Sequence, residues 1–281
     1  MAGSRQERAG GLMEDLLERL RRRRAPSGRR RSVLLVLAAA LFVGAMVLAV
    51  QSLPEGELTI NWPLVLVVGL VGGPALLAMN AVEYAMSARL LGRRVARRDA
   101  VAVAVYGGAA NLLPIPGTAL VRLRALQQQG SGIRRAAGAT ALVAVAWFGA
   151  AGFVGAPAAA AGGTWWLAGL LLVGGLMTVP VVHRSVRGLA ERREPEVEPV
   201  GPDRLVAELY GLEVAMIVVR ALRFWLVILA FDLDASIQTA FVLPVAGVLA
   251  SALGFLPGGL GIRELLAGLL SGANGDTAAV G

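Results

Sequence analysis

Residues 100–126 read AVAVAVYGGAANLLPIPGTALVRLRAL, and the break in this stretch decides the fold. Both sides of Pro114-Ile115-Pro116-Gly117 are apolar. As a helix, the first arm, Ala100–Leu113, spans about 21 Å, short of a hydrocarbon core of about 30 Å. Proline removes a backbone donor and glycine admits unusual backbone angles. The stretch is therefore expected to dip into a membrane and return, as a re-entrant hairpin. Such backbone survives at membrane depth only beside protein or a watery cavity.

The composition agrees with a membrane setting. Of 281 residues, 56% are hydrophobic and 16% charged, whereas a soluble domain carries about 25% charge. The 27 basic residues are all arginine, against 19 acids, for a net +8. With no lysine, Schiff-base and Walker-type lysine chemistry is excluded. With no cysteine, so are disulfides, thiolate nucleophiles and cysteine-ligated metals. His183 alone cannot build a multi-histidine metal site. Neither a nucleophile elbow nor paired acids with a histidine are present, so no enzyme and no cofactor are expected.

Further apolar runs give the spans. Val33–Val50 is uninterrupted, long enough to cross, and reads as a signal-anchor helix. The basic region before it is too long for a cleaved signal peptide. Other spans run from Pro63 to about Ala88, Ala136–Ala156, Thr164–Val182 and, with embedded charges, about Val206–Phe231. Ser236–Leu270 is broken at Pro257-Gly258-Gly259.

Arginine placement orients them. Residues 1–31 hold ten arginines and four acids, and Arg89–Asp99 holds five arginines. Gln51–Trp62 has two acids and no arginine. If Ala100–Leu126 is re-entrant, 24 arginines lie on cytoplasmic segments or their flanks, none lies in an outer loop, and Arg220, Arg223 and Arg263 remain in the membrane. The arginines thus form a cytoplasmic rim. No base-reading motif accompanies them, so nucleic acid is not expected as a partner.

This predicts an all-α, polytopic membrane helix bundle. Residues 1–31 form a basic cytoplasmic arm, in which Gly11–Arg24 reads equally as an amphipathic surface helix or a disordered arm. Residues 32–281 form the bundle, with a cytoplasmic linker at 183–204.

The two broken segments match each other. Pro116-Gly117 precedes Arg122 and Pro257-Gly258 precedes Arg263, both as P-G-x-x-x-x-R. Three spans lie between them, so the hairpins are expected to enter from opposite faces. Residues 63–130 and 205–271 then form an inverted repeat, a transporter organisation. Ser236–Leu256 is also long enough to span alone. Helices starting after each Pro-Gly present free N–H groups, a positive dipole end and an arginine, which suits a phosphate. The plainer alternative is a pair of packed helix kinks.

Glu213, Arg220 and Arg223 share one face of one span, and Glu83 and Arg263-Glu264 lie in others. Each such charge costs roughly 2.5–3.5 kcal/mol at mid-membrane, so they should face the bundle interior. Internal pairing of Glu213 with Arg220 is the simplest expectation.

The stretch Leu256-Pro257-Gly258-Gly259-Leu260-Gly261-Ile262-Arg263-Glu264 resembles the signature near the end of the lysylphosphatidylglycerol synthase/flippase transmembrane-domain family. Asn111-Leu112-Leu113-Pro114-Ile115-Pro116-Gly117, followed by Arg122 and Leu126, resembles its first loop. In layout the resemblance covers roughly residues 33–271. It implies a bacterial plasma-membrane protein, with a cytoplasmic N-terminus, that moves lipids between leaflets. It also implies an anionic phospholipid or polyprenyl-phosphate lipid as partner and leaves a homo-oligomer open. Carried over, Asn111, Pro116, Gly117, Arg122, Pro257, Gly258, Gly259, Arg263 and Glu264 would line the headgroup path. The soluble aminoacyl-transferase domain is absent, so synthase activity is not implied. The first copy lacks the acid that many relatives place before its arginine, and the chain stops where relatives usually continue into another helix. An ion or small-solute transporter and a non-transporting scaffold remain the alternatives.

Overall fold

The computed structural model describes residues 60–111, 117–191, 201–232 and 237–252, which contain helices and no strand. The arm 1–31, the run Val33–Val50, Pro114-Ile115-Pro116 and the whole second motif, Pro257 to Glu264, lie outside the described residues. The helices are α1 (Trp62–Leu90), α2 (Arg97–Ala110), α3 (Gly117–Gln128), α4 (Ile133–Ala161), α5 (Trp165–Ala190), α6 (Pro202–Ala230) and α7 (Ile237–Ala252). Three of them, α1, α4 and α5, are long and apolar enough to cross a membrane.

The expected break is present. α2 has 14 residues and α3 has 12, about 21 Å and 18 Å. They pack on each other near the break, where the Thr118 hydroxyl donates to the Gly107 carbonyl at 3.0 Å. A Cβ on Gly117 would collide with the Ala110 carbonyl, so only glycine lets the two helices come this close. Leu126 and the small Ala100 and Ala104 bury against Ala81, Tyr84 and Ala88, which seats both helices on the C-terminal part of α1.

α1 changes winding once. Its turn Val68–Gly72 is π-helical. Pro74, two residues on, has no N–H to give the preceding turn, and a wider turn accommodates that loss. The bare face of Gly72 is occupied by Arg223 of α6; a Cβ there would lie 2.8 Å from its Cγ and Cδ.

α4 and α5 form an antiparallel pair joined by a tight turn at Gly163, whose φ of 78° glycine adopts without strain. Small residues set their spacing. A Cβ on Gly152 would stand 2.5 Å from the Leu171 carbonyl oxygen, so the backbones touch. Tyr210 ties α6 to this pair through a 2.7 Å hydrogen bond with Thr178.

The linker is shorter than its composition suggests. α5 continues to Ala190 because Val182 and Val186 are fully buried against Leu205 and Leu209 of α6. α6 already begins at Pro202.

The two ends of the bundle differ chemically. At one end Arg89 pairs with Glu208 at 2.9 Å, Arg204 with Glu208 at 2.8 Å and His183 with Asp203 at 2.6 Å. At the other, the Asn61 backbone N–H donates to the Ala230 carbonyl at 2.8 Å, joining the start of α1 to the end of α6. Trp62, Trp165 and Trp166 are exposed there, as in the aromatic belt of a membrane interface. Between the ends, Leu70, Leu170, Val173 and Met177 are exposed, an apolar surface suited to lipid.

Candidate functional site

The polar interior is assembled from four helices. α3 brings Arg122, which is 7% exposed, to Glu83 of α1, which is 6% exposed. The contact is two-pronged: Nη1 donates to Oε1, and Nη2 donates to Oε2 at 2.5 Å. Asn80, three residues before Glu83, adds its Oδ1 to Nη2 at 3.4 Å. The Asn80 amide donates to the Leu76 carbonyl at 2.7 Å, which turns its oxygen toward the arginine. The planar guanidinium suits this fork, where an ammonium would offer only a point charge.

Glu213 of α6 is the innermost group, with 0% exposure. Neither carboxyl oxygen has a hydrogen-bond partner. The charges of Glu83, Arg122 and Arg220 act on it. The expected Glu213–Arg220 hydrogen bond is not formed. Arg220 instead lies over the Trp147 ring of α4, 5.3 Å from its centroid, as a cation–π contact. Seven positions along a helix place two side chains about two turns, roughly 10 Å, apart, and the aromatic face is nearer. Arg223 rests on the π-helical turn at Gly72, and its Nε has no partner, nor has the buried Trp147 indole N–H.

The structure thus brings Arg122, Glu213, Arg220 and Arg223 into one interior. Asn111 serves the helix break: its Oδ1 accepts the Thr118 N–H at 2.9 Å, covering one free donor at the start of α3. Gly117 is spent on the close approach to Ala110. Asn80 and Trp147 carry no signal in the sequence, and Glu83 stands there unpaired. The available clue was that an arginine on a broken helix needs an acid, and Glu83 is the one acid of α1.

No group of three or more metal-ligating side chains occurs among the described residues. The chain matches no protein-family model, no curated protein and no solved structure. What the fold and the interior define is an all-helical protein with membrane-length helices around a buried cluster of carboxylates and guanidiniums.

Proposed function

We propose that the chain is a multi-pass bacterial plasma-membrane transporter of the flippase type. It moves an anionic phospholipid or polyprenyl-phosphate lipid between leaflets and performs no covalent chemistry. The arginine-bearing end faces the cytoplasm, the tryptophan end faces outward, and the α2–α3 hairpin is re-entrant.

One observation carries this reading. When the sequence is shifted so that Pro116 falls on Pro257 and Arg122 on Arg263, α1 and α2 fall within one position of α6 and α7 at all four helix ends. This correspondence of two helices and an equal gap between them supports a repeat longer than the short P-G-x-x-x-x-R motif. α1 and α6 run in opposite directions, as the Asn61–Ala230 bond between the start of one and the end of the other requires. A repeat in opposite orientation is the framework of alternating access, with the cargo site where the halves meet.

The interior suits an anionic headgroup that competes with Glu83 for Arg122. A phosphate oxygen pair accepts the same two donors as the carboxylate, so the Glu83–Arg122 pair acts as an internal stand-in for cargo. Lipid tails remain against the apolar outer surface.

The test is exchange of fluorescent lipid in vesicles containing the purified chain, followed by chemical quenching of the outer leaflet. Phosphatidylglycerol should equilibrate faster than in empty vesicles, and faster than phosphatidylcholine. Equal rates with and without protein overturn the reading. Ion or small-solute flux without lipid exchange would favour a transporter of that other class.

A further inference from the structure

Glu213 is the group that the flippase reading leaves without a task. It is fully buried with two unpartnered oxygens, inside a protein that satisfies Asn80, Ser87, Thr164 and Thr178 with hydrogen bonds. Burying a carboxylate that no donor meets is among the costliest arrangements a fold can hold, whereas the neutral acid is far cheaper. Ionisable side chains inside membrane bundles mark ion paths and proton relays.

We propose that Glu213 is a proton-binding site, and that its proton is taken up together with the phosphate-bearing anion. This rests on the transporter reading for its cargo.

The neighbours explain the coupling. From α1, Glu83 acts on Glu213 as a like charge; from α3, Arg122 acts on it as an opposite charge, already held by Glu83. From its own helix comes Arg220, drawn away onto Trp147 of α4. Arg223 acts on Arg220 from the next turn. α5 offers Thr178, engaged with Tyr210, and the described residues of α7 carry no charge. With Glu213 ionised, its charge and that of Glu83 offset Arg122 and Arg220. With Glu213 protonated, the cluster gains one unit of positive charge and holds an anion more tightly.

Proton and anion therefore favour each other, and by linkage each raises the affinity for the other equally. On release, the carboxylic O–H bond breaks and the proton passes to water. The carboxylate left behind repels the departing anion. A proton gradient thus gives lipid movement a direction without a nucleotide.

The experiment is proton uptake by the full chain in weakly buffered detergent, with added phosphatidylglycerol in one arm and inorganic phosphate in the other. At a pH alkaline enough for the empty site to be ionised, the expected result is about one proton taken up per bound lipid, with affinity rising as pH falls through that range by up to about tenfold per unit. Glu213→Gln should abolish both the uptake and the pH slope, and Glu213→Asp, which keeps an acid, should retain them. This contrast separates a proton site from general damage. Uptake with inorganic phosphate alone would keep the proton site and assign its anion to a soluble source. Binding without proton uptake at that alkaline pH, or an unchanged slope in Glu213→Gln, overturns the proposal. Uptake in a protein that exchanges no lipid would overturn the flippase reading and leave the proton site standing.

Discussion

Arg122 and Glu83 meet two nitrogens to two oxygens, both almost wholly buried, and join α3, the helix after the Pro-Gly break, to the membrane-length helix α1. Removing one partner strands the other charge, which costs about 3–5 kcal/mol. Glu83→Gln should lower thermal stability in detergent by that order. Glu208→Gln, which breaks the partly exposed pairs with Arg89 and Arg204, should cost under about 1 kcal/mol. Removing both charges, as Glu83→Gln with Arg122→Gln, should recover most of the loss. Unfolding curves for the parent, the two single variants at Glu83 and Arg122, and the double variant form a cycle that measures the coupling directly.

The break depends on Gly117 lying against the Ala110 carbonyl. Gly117→Ala must push α2 and α3 apart and should destabilise by about 1–3 kcal/mol. Gly108 lies in the same hairpin with open space around it. Gly108→Ala should be neutral or slightly stabilising, since alanine is the better helix former by about 1 kcal/mol. Proteolysis near the hairpin, compared between the two variants, reads the difference.

The helix pair α4–α5 makes a parallel case. Gly152→Ala puts a methyl on the Leu171 carbonyl, where only backbone can yield, and should lower the melting temperature. Gly174→Ala meets nothing and should leave it unchanged or higher.

Topology can be read without background labelling, because the chain has no cysteine. Arg98 and Gln128 lie at the outer ends of the α2–α3 hairpin. If the hairpin is re-entrant, Arg98→Cys and Gln128→Cys should both react with an impermeant maleimide from the cytoplasmic side. Ala161→Cys, at the far end of α4, should react from the opposite side. Labelling of Arg98→Cys and Gln128→Cys from opposite sides would mean that the segment crosses fully.

The helices were legible in the sequence where apolar length marks them. Apolar length located α1, α4, α6 and the start of α5 to within a few positions, and proline with glycine located the break between α2 and α3. The end of α5 was not legible, because His183 and Arg184 look like a loop. Only the packing of Val182 and Val186 on α6 carries the helix onward. The site was half legible. Arg122 stood out as an arginine beside a broken helix, and Glu213, Arg220 and Arg223 as charges in a span. Their partners were hidden, because pairing across helices leaves no periodicity in one chain. Neither the pairing of Glu83 with the distant Arg122 nor the turn of Arg220 toward Trp147 follows from local spacing.

The central claim is that Arg122 receives an anionic headgroup in place of Glu83. The direct measurement is lipid exchange by the double variant Glu83→Gln, Arg122→Gln, which keeps the hairpin without a stranded charge. The double variant should fold, and its phosphatidylglycerol exchange should fall to the rate of empty vesicles. Exchange at the wild-type rate, with the preference for anionic lipid intact, would contradict it.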